Sequence, residues 1–343
     1  MTSRLYARAG VDQDAVDGFV EWLAQATRPV RRSGVVAGVG GFAGLYELPG
    51  TRGRTLLVGC TDGVGTKLKL AFELGRHDTV GIDLVAMNVN DLITTGARPL
   101  FFLDYLAVGK FDPGVAKEVL EGVIAGCRES GCALLGGETA QLPDFYAPGE
   151  YDLAGFAVGV VDRAHVIDGS RVRPGDSILG LASSGVHSNG YSLVRKVLAE
   201  SGRRLGERPA PLRGTLGEEL LRPTRIYERT LRPVLDSPRG RKAVKALAHV
   251  TGSGIPGNLP RVLPEGVSAR IDRRAWPRPP IFALIAEWGR IGEDEMFDVF
   301  NMGVGMIAVV ERREEANAVR ALGRRGVYRI GEIVEGRREV LWA

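Results

Sequence analysis

One short segment, Thr61-Asp62-Gly63-Val64-Gly65-Thr66-Lys67, holds a carboxylate, two glycines, two hydroxyls and an ammonium directly after the apolar run Leu56 to Cys60. A carboxylate can hold a divalent cation. Glycines let backbone N–H groups approach phosphate oxygens, and a lysine can neutralise them. The same pattern is also ordinary turn chemistry, in which Asp62 satisfies local N–H groups and Lys67 is solvated. The Walker pattern G-x-x-x-x-G-K-[ST] is absent, so any nucleotide here is held without a P-loop.

Four further clusters bear on the choice. On a helix, Asp83, Met87 and Asn90 or Asp91 share one stripe, and two carboxylates near Asp62 suit Mg²⁺ bound through phosphates. The alternative is a capping role for Asp83 and surface hydrogen bonds for the rest. Glu138 follows Gly136-Gly137 after a short apolar run, either in a ligand loop or at a helix start. The run Ser183-Ser184-Gly185-Val186-His187-Ser188-Asn189-Gly190 leads from a strand into a helix, where free N–H groups attract anions. There His187 either transfers a proton or caps the helix. Thr251-Gly252-Ser253-Gly254 opens a helix by the same logic. The glycines Gly38 to Gly41 do not run from a strand into a helix with a distant acid, so a Rossmann site is a poor reading.

These residues need elements to hold them. Val16, Phe19, Val20 and Leu23 recur at helical spacing over 11–26. Strands are predicted over 56–60, 101–108, 132–135 and 153–161, and helices over 83–95 and 115–129. In the second of these helices Val115, Val119, Val123 and Cys127 repeat every four residues. The turn chemistry near 167–176 marks a boundary between domains 1–168 and 169–343. Beyond it, strands are predicted at 177–182, 267–271, 304–310, 327–334 and 339–342. Helices are predicted near 190–200, 224–236, 280–289 and 313–324, and residues 201–217 as an exposed loop. Strands and helices alternate only partly, so a layered α/β (α+β) fold fits better than a strict doubly wound sheet.

The chain of 343 residues has 47 glycines, many of them at strand ends, and a formal net charge of +4. Its basic runs, such as Arg312-Arg313 between Glu311 and Glu314, are interleaved with acids, which speaks against a nucleic-acid surface. Three cysteines without metal spacing read as reduced thiols. No segment has membrane-spanning length and the first residues lack an apolar signal core, so the cytoplasm is the expected location.

Taken in order, the motifs resemble the aminoimidazole ribonucleotide synthetase (phosphoribosylformylglycinamidine cyclo-ligase) family. They are YARAGVD at 6–12, GVGGF at 38–42, TDGVGTK at 61–67, HDTVGIDLVAMNVNDL at 77–92, GARPLFFLDYLA at 96–107, GGETA at 136–140, YDLAGFAVGVV at 151–161, SSGVHSNGYSLVRK at 183–196, PTRIY at 223–227 and FNMGVGMI at 300–307. The resemblance implies a two-domain protomer whose N-terminal domains pair into a homodimer with a barrel-like sheet. It implies ATP-dependent ring closure of formylglycinamidine ribonucleotide to aminoimidazole ribonucleotide, with Mg²⁺. Asp62 and Asp91 are then the expected metal–phosphate ligands, with Asp83 beside them. Lys67 stands near the phosphates, and His187 and Glu138 are candidates for proton transfer at ring closure. Gly40, Gly41, Gly63, Gly65, Thr66, Asn90, Gly137, Ser184, Asn189, Gly252 and Gly254 are the expected nucleotide-binding positions. The chain departs from the family at Ala24 and Gln25, where many relatives have a lysine, at Gln141 and Asp144 in place of an acid and a glycine, and at Ser253, where TGGG becomes TGSG.

Overall fold

A computed structural model describes residues 8–11, 13–30 and 32–343. Tyr6, Ala7 and Asp12 of the first family-like motif lie outside the described residues.

The first half builds a six-stranded sheet from β1 (Val35–Ala37), β2 (Gly44–Glu47), β3 (Thr55–Gly63), β4 (Arg98–Val108), β5 (Ala133–Gln141) and β6 (Tyr151–Asp162), in the order β1-β2-β3-β6-β4-β5. All pairings are antiparallel except β4 with β5. Burial along β6 alternates strictly over its first half, the mark of a sheet covered on one face. Helix Val80–Ile93 lies on that face, buried along nearly its whole length, and Pro113–Ser130 packs beside it. The two helices approach closely at Gly81, where an added Cβ would lie 2.2 Å from the Val119 carbonyl oxygen. Helix Pro113–Ser130 has complete end signals: the Asp112 side chain accepts from the Gly114 and Val115 N–H groups, Pro113 opens the helix, and Gly131 closes it at φ +69°.

The second half forms another six-stranded sheet from β7 (Ser177–Ala182), β8 (Val244–His249), β9 (Val267–Ile271), β10 (Val304–Val310), β11 (Val327–Glu335) and β12 (Val340–Trp342), ordered β12-β9-β11-β7-β10-β8. The interior strand β10, between β7 and β8, is buried at every residue. Its continuous apolar run therefore reads as a strand covered on both faces rather than an alternating one.

Several expectations shift here. The helix expected from Asp83 begins at Val80, so Asp83 lies inside its first turn and is fully buried. Gly136-Gly137 does not end a strand: β5 runs through both glycines and Glu138 to Gln141 as a largely exposed edge strand. β8 was hidden by its neighbours. It follows the basic stretch Arg239 to Lys242, and its own Lys245 looks like more of it, yet Lys245 Nζ is tied to Asp176 at 2.6 Å. The two halves meet along β3, helix Val80–Ile93 and the loops at 183–190 and 222–227, where the site lies.

Candidate active site at the domain junction

β3 carries Asp62 to the edge of an open cleft between the two halves. The cleft is lined by Asp62, Gly63, Gly65, Thr66 and Asp152 on one side and by Ser188, Asn189 and Ser192 on the other. Asp62 Oδ1 accepts from the Gly63 N–H at 2.8 Å. Burial first, and the charge of Asp91 second, push its carboxyl up to about 6, while the Gly63 N–H and His249 pull it down. Two carboxylates from different elements are therefore close enough for their charges to act on each other, with Asp62 lining the cleft and Asp91 behind it.

Asp91, near the end of helix Val80–Ile93, is held from the other domain: His249, the last residue of β8, donates from Nδ1 to Asp91 Oδ1 at 2.8 Å. The opposite ring nitrogen lies 3.4 Å from Asn90 Nδ2, which fits Nε2 as the acceptor. Asn90 is fully buried, donating to the Arg225 carbonyl and accepting from the Tyr227 N–H. It fastens the C-terminal segment to the helix and has no face toward a nucleotide. The glycine-rich loop comes to the same corner. Arg261 donates to the Gly41 carbonyl at 3.1 Å and stacks on Phe42, and Asp91 is among the charges acting on its guanidinium. Gly40 takes φ +107°, open to left-handed backbone only for glycine.

Lys67 and Asp83 form a pair of their own. The Lys67 ammonium lies 2.7 Å from Asp83 and also donates to the carbonyls of His187 and Arg222, at 2.9 and 2.8 Å. Asp83 Oδ1 accepts in addition from the Thr224 N–H and hydroxyl. Both residues are fully buried. The ammonium has three acceptors for its three hydrogens, which leaves nothing to reach a phosphate. Asp83 is likewise occupied by a cation of the protein itself. The pair bolts the 183–190 loop and the 222–224 segment onto the first domain.

His187 is buried, at φ +68°, with its Nε2 accepting from the Ser184 N–H at 3.1 Å. Burial first, then His249, Lys67 and Arg225, hold its proton affinity well below the usual histidine range. It is a neutral ring folded back on its own loop, and it does not cap the following helix, whose N-cap is Gly190 without a side-chain bond. Ser184 is half-buried, its hydroxyl donating to the Pro223 carbonyl. Asn189 lines the cleft. Gly252 and Gly254 are drawn together by Asn258, whose amide donates to both carbonyls, and Ser253 between them is strained at φ +68°.

Glu138 lies apart. Across the sheet, Asp62 pairs with Gly155, Gly155 with Asp104, and Asp104 with Gly137. Gly137 is thus three strands from Asp62, about 14 Å at the usual spacing. Glu138 is opposite Tyr105, on the uncovered face of the sheet. Within one protomer it does not meet the acid pair.

Sequence reasoning passed over three residues here. Asp152 repeats the Asp62 geometry, its Oδ1 accepting from the next N–H at 2.8 Å, and its place in the YDLAGF motif was the available signal. His249, immediately before the Val250-Thr251-Gly252 loop, was hidden with β8. Arg261 sits on a short 3₁₀ turn with no local pattern to expose it.

Among the described residues, no group of three His, Cys, Asp or Glu side chains is arranged to hold a metal unaided. Two carboxylates this near each other, one of them on the cleft, are nonetheless a donor set that suits Mg²⁺ when phosphates and waters complete its shell.

The fold and this junction define an AIR synthase related protein. The N-terminal domain model of that family matches residues 40–161 and the C-terminal domain model 173–343, so the chain belongs to the AIR synthase related family. Among curated relatives it is 54% identical to a phosphoribosylformylglycinamidine cyclo-ligase of Myxococcus xanthus, covering 97% of each chain. It is also 54% identical to one of Sorangium cellulosum, over 96% of this chain and 95% of the relative. Solved structures share the fold at lower identity. A thiamine-monophosphate kinase from Stenotrophomonas maltophilia matches with a TM-score of 0.59 at 21% identity, covering 92% of this chain and 93% of the other. A structure described as AaThiL complexed with AMPPCP and TMP matches at 0.63 and 16%, covering 94% and 92%.

Proposed function

We propose that this chain is a phosphoribosylformylglycinamidine cyclo-ligase, closing formylglycinamidine ribonucleotide to aminoimidazole ribonucleotide with ATP and Mg²⁺. The observation that carries an ATP-dependent reaction is the Asp62–Asp91 pair beside the interdomain cleft, Asp62 lining it and His249 fixing Asp91 from the opposite domain. The substrate is supported by the name shared by relatives matched over nearly their full length.

The chemical obstacle is an amide oxygen that leaves poorly. Phosphorylating that oxygen turns it into an iminophosphate, and the ring nitrogen then attacks as phosphate departs. Bound Mg²⁺ would neutralise charge on the transferring phosphoryl group. Asp62 and Asp91 would hold it, and cation binding would relieve the repulsion that raises the Asp62 carboxyl. Gly63 and Gly65 present backbone at the cleft without bulk, Thr66 adds a hydroxyl that meets Ser192, and Asn189 and Ser192 form the facing wall. His249 keeps Asp91 in one rotamer. Lys67 and His187 serve the same end at one remove, by fixing the loop that carries Asn189.

The homodimer belongs to this proposal as well. The uncovered face of the first sheet exposes Leu100, Tyr105, Leu135 and Phe156, each 40% or more accessible. Two such faces packed together would give the barrel-like arrangement and would bring Glu138 into an interface.

Incubation with formylglycinamidine ribonucleotide, ATP and Mg²⁺, followed by diazo coupling of the aminoimidazole product, tests the activity. ATP binding without product would leave a nucleotide-binding protein of another activity.

A further inference from the structure

The end of helix Pro113–Ser130 brings two of the three cysteines together. Gly131 is left-handed, and the Cys132 N–H donates to the Cys127 carbonyl at 3.1 Å. That bond defines a Schellman turn, a motif that commonly sets the side chains of its first and last residues in contact. Here those residues are Cys127 and Cys132, and each thiol influences the proton affinity of the other. Cys127 is buried and Cys132 half-buried. The Ser130 hydroxyl lies 3.3 Å from Cys132 Sγ and 2.8 Å from the Gly126 carbonyl, so it can turn toward the sulfur when the thiol loses its proton. Contact with Cys127, and then Ser130, bring Cys132 down to about 7, whereas Cys127 is pushed up. Cys60 is of another kind: it is buried in the core, and burial, Asp91 and Asp62 all disfavour its thiolate.

We infer that Cys127 and Cys132 form a peroxide-reactive dithiol, a reversible oxidation site distinct from the acid pair. The Cys132 thiolate attacks one peroxide oxygen, the O–O bond breaks, and Cys132 becomes a sulfenic acid as the other oxygen leaves and is protonated. The Cys127 sulfur then attacks the Cys132 sulfur. The S–O bond breaks, and the departing hydroxyl takes the Cys127 proton and leaves as water. The two sulfurs together lose two electrons, and the peroxide gains them. A dithiol reductant restores the pair. The turn supplies the proximity that makes the second step faster than over-oxidation of Cys132.

The test treats the full chain with a small excess of hydrogen peroxide, blocks remaining thiols, and maps peptides by mass spectrometry. The expected product is a Cys127–Cys132 cross-link, reversed by dithiothreitol, with Cys60 still a free thiol. Cys132 should react at least about tenfold faster than Cys60. In Cys127→Ser the Cys132 sulfenic acid should persist and be captured by dimedone. Oxidation of Cys60 at an equal rate, or conversion of Cys132 to sulfinate with Cys127 present and uncrosslinked, would overturn the assignment.

Discussion

Asp62→Asn should make the metal-free protein more stable while abolishing its catalysis. The Asp62 carboxyl moves from an ordinary 3.8 to about 6 because folding buries it beside Asp91. A folded-state value above the unfolded one means the native protein holds the proton more tightly. Stability therefore falls as pH rises from about 4 to about 6, and the cost is fully present above that window. The interval corresponds to about 3 kcal/mol, which partial solvent access lowers to about 1–2 kcal/mol. Asparagine keeps an acceptor for the Gly63 N–H and removes the charge. With metal chelated, we expect the variant to melt about 1–3 °C above the parent at pH 7.5, and the gap to close near pH 4. Thermal unfolding across that pH range measures it. A variant less stable than the parent at neutral pH would show that Asp62 is a satisfied structural residue and would refute the repulsion argument.

Other perturbations probe the supports. Lys67→Met leaves Asp83 buried without its cation and should cost about 3–5 kcal/mol in chemical denaturation; adding Asp83→Leu to that variant should recover part of the loss, whereas a defect confined to ATP affinity would return Lys67 to the phosphates. Ser253→Gly relieves a left-handed serine at φ +68° and should stabilise by about 0.5–1 kcal/mol, read from the denaturation midpoint. Phe156→Glu places a charge on the uncovered sheet face, so sedimentation should show the wild type dimeric and the variant shifted to monomer; two identical profiles would remove that face from the interface.

The sequence made the site's composition easier to read than its wiring. Asp62 alone reads equally well as a turn, and it became visible through its company, above all the polar groups crowded with Asp91 into an apolar helix. Lys67 and Asp83 carried the same signals, yet they find each other across sixteen residues of chain. Nothing local distinguishes a lysine aimed at phosphate from one aimed at a buried carboxylate. Two glycines before Glu138 read as a strand end, while parallel pairing with β4 carries the strand onward. His249 and Arg261 act only through the second domain, so their roles come from tertiary contacts that no spacing encodes. Strands such as β10, with unbroken apolar runs, were legible, whereas β8, which follows a basic stretch and carries Lys245, and the short β1 and β2 around the glycine-rich loop were not.

The central claim is that Asp62 and Asp91 jointly bind ATP through Mg²⁺ at the domain junction. Calorimetric titration of ATP into wild type and Asp91→Asn, each with Mg²⁺ and with chelator, tests it directly. The wild type should lose at least about tenfold in affinity when Mg²⁺ is removed, and Asp91→Asn should bind weakly and equally in both conditions. Undiminished Mg²⁺ dependence in Asp91→Asn would contradict the account.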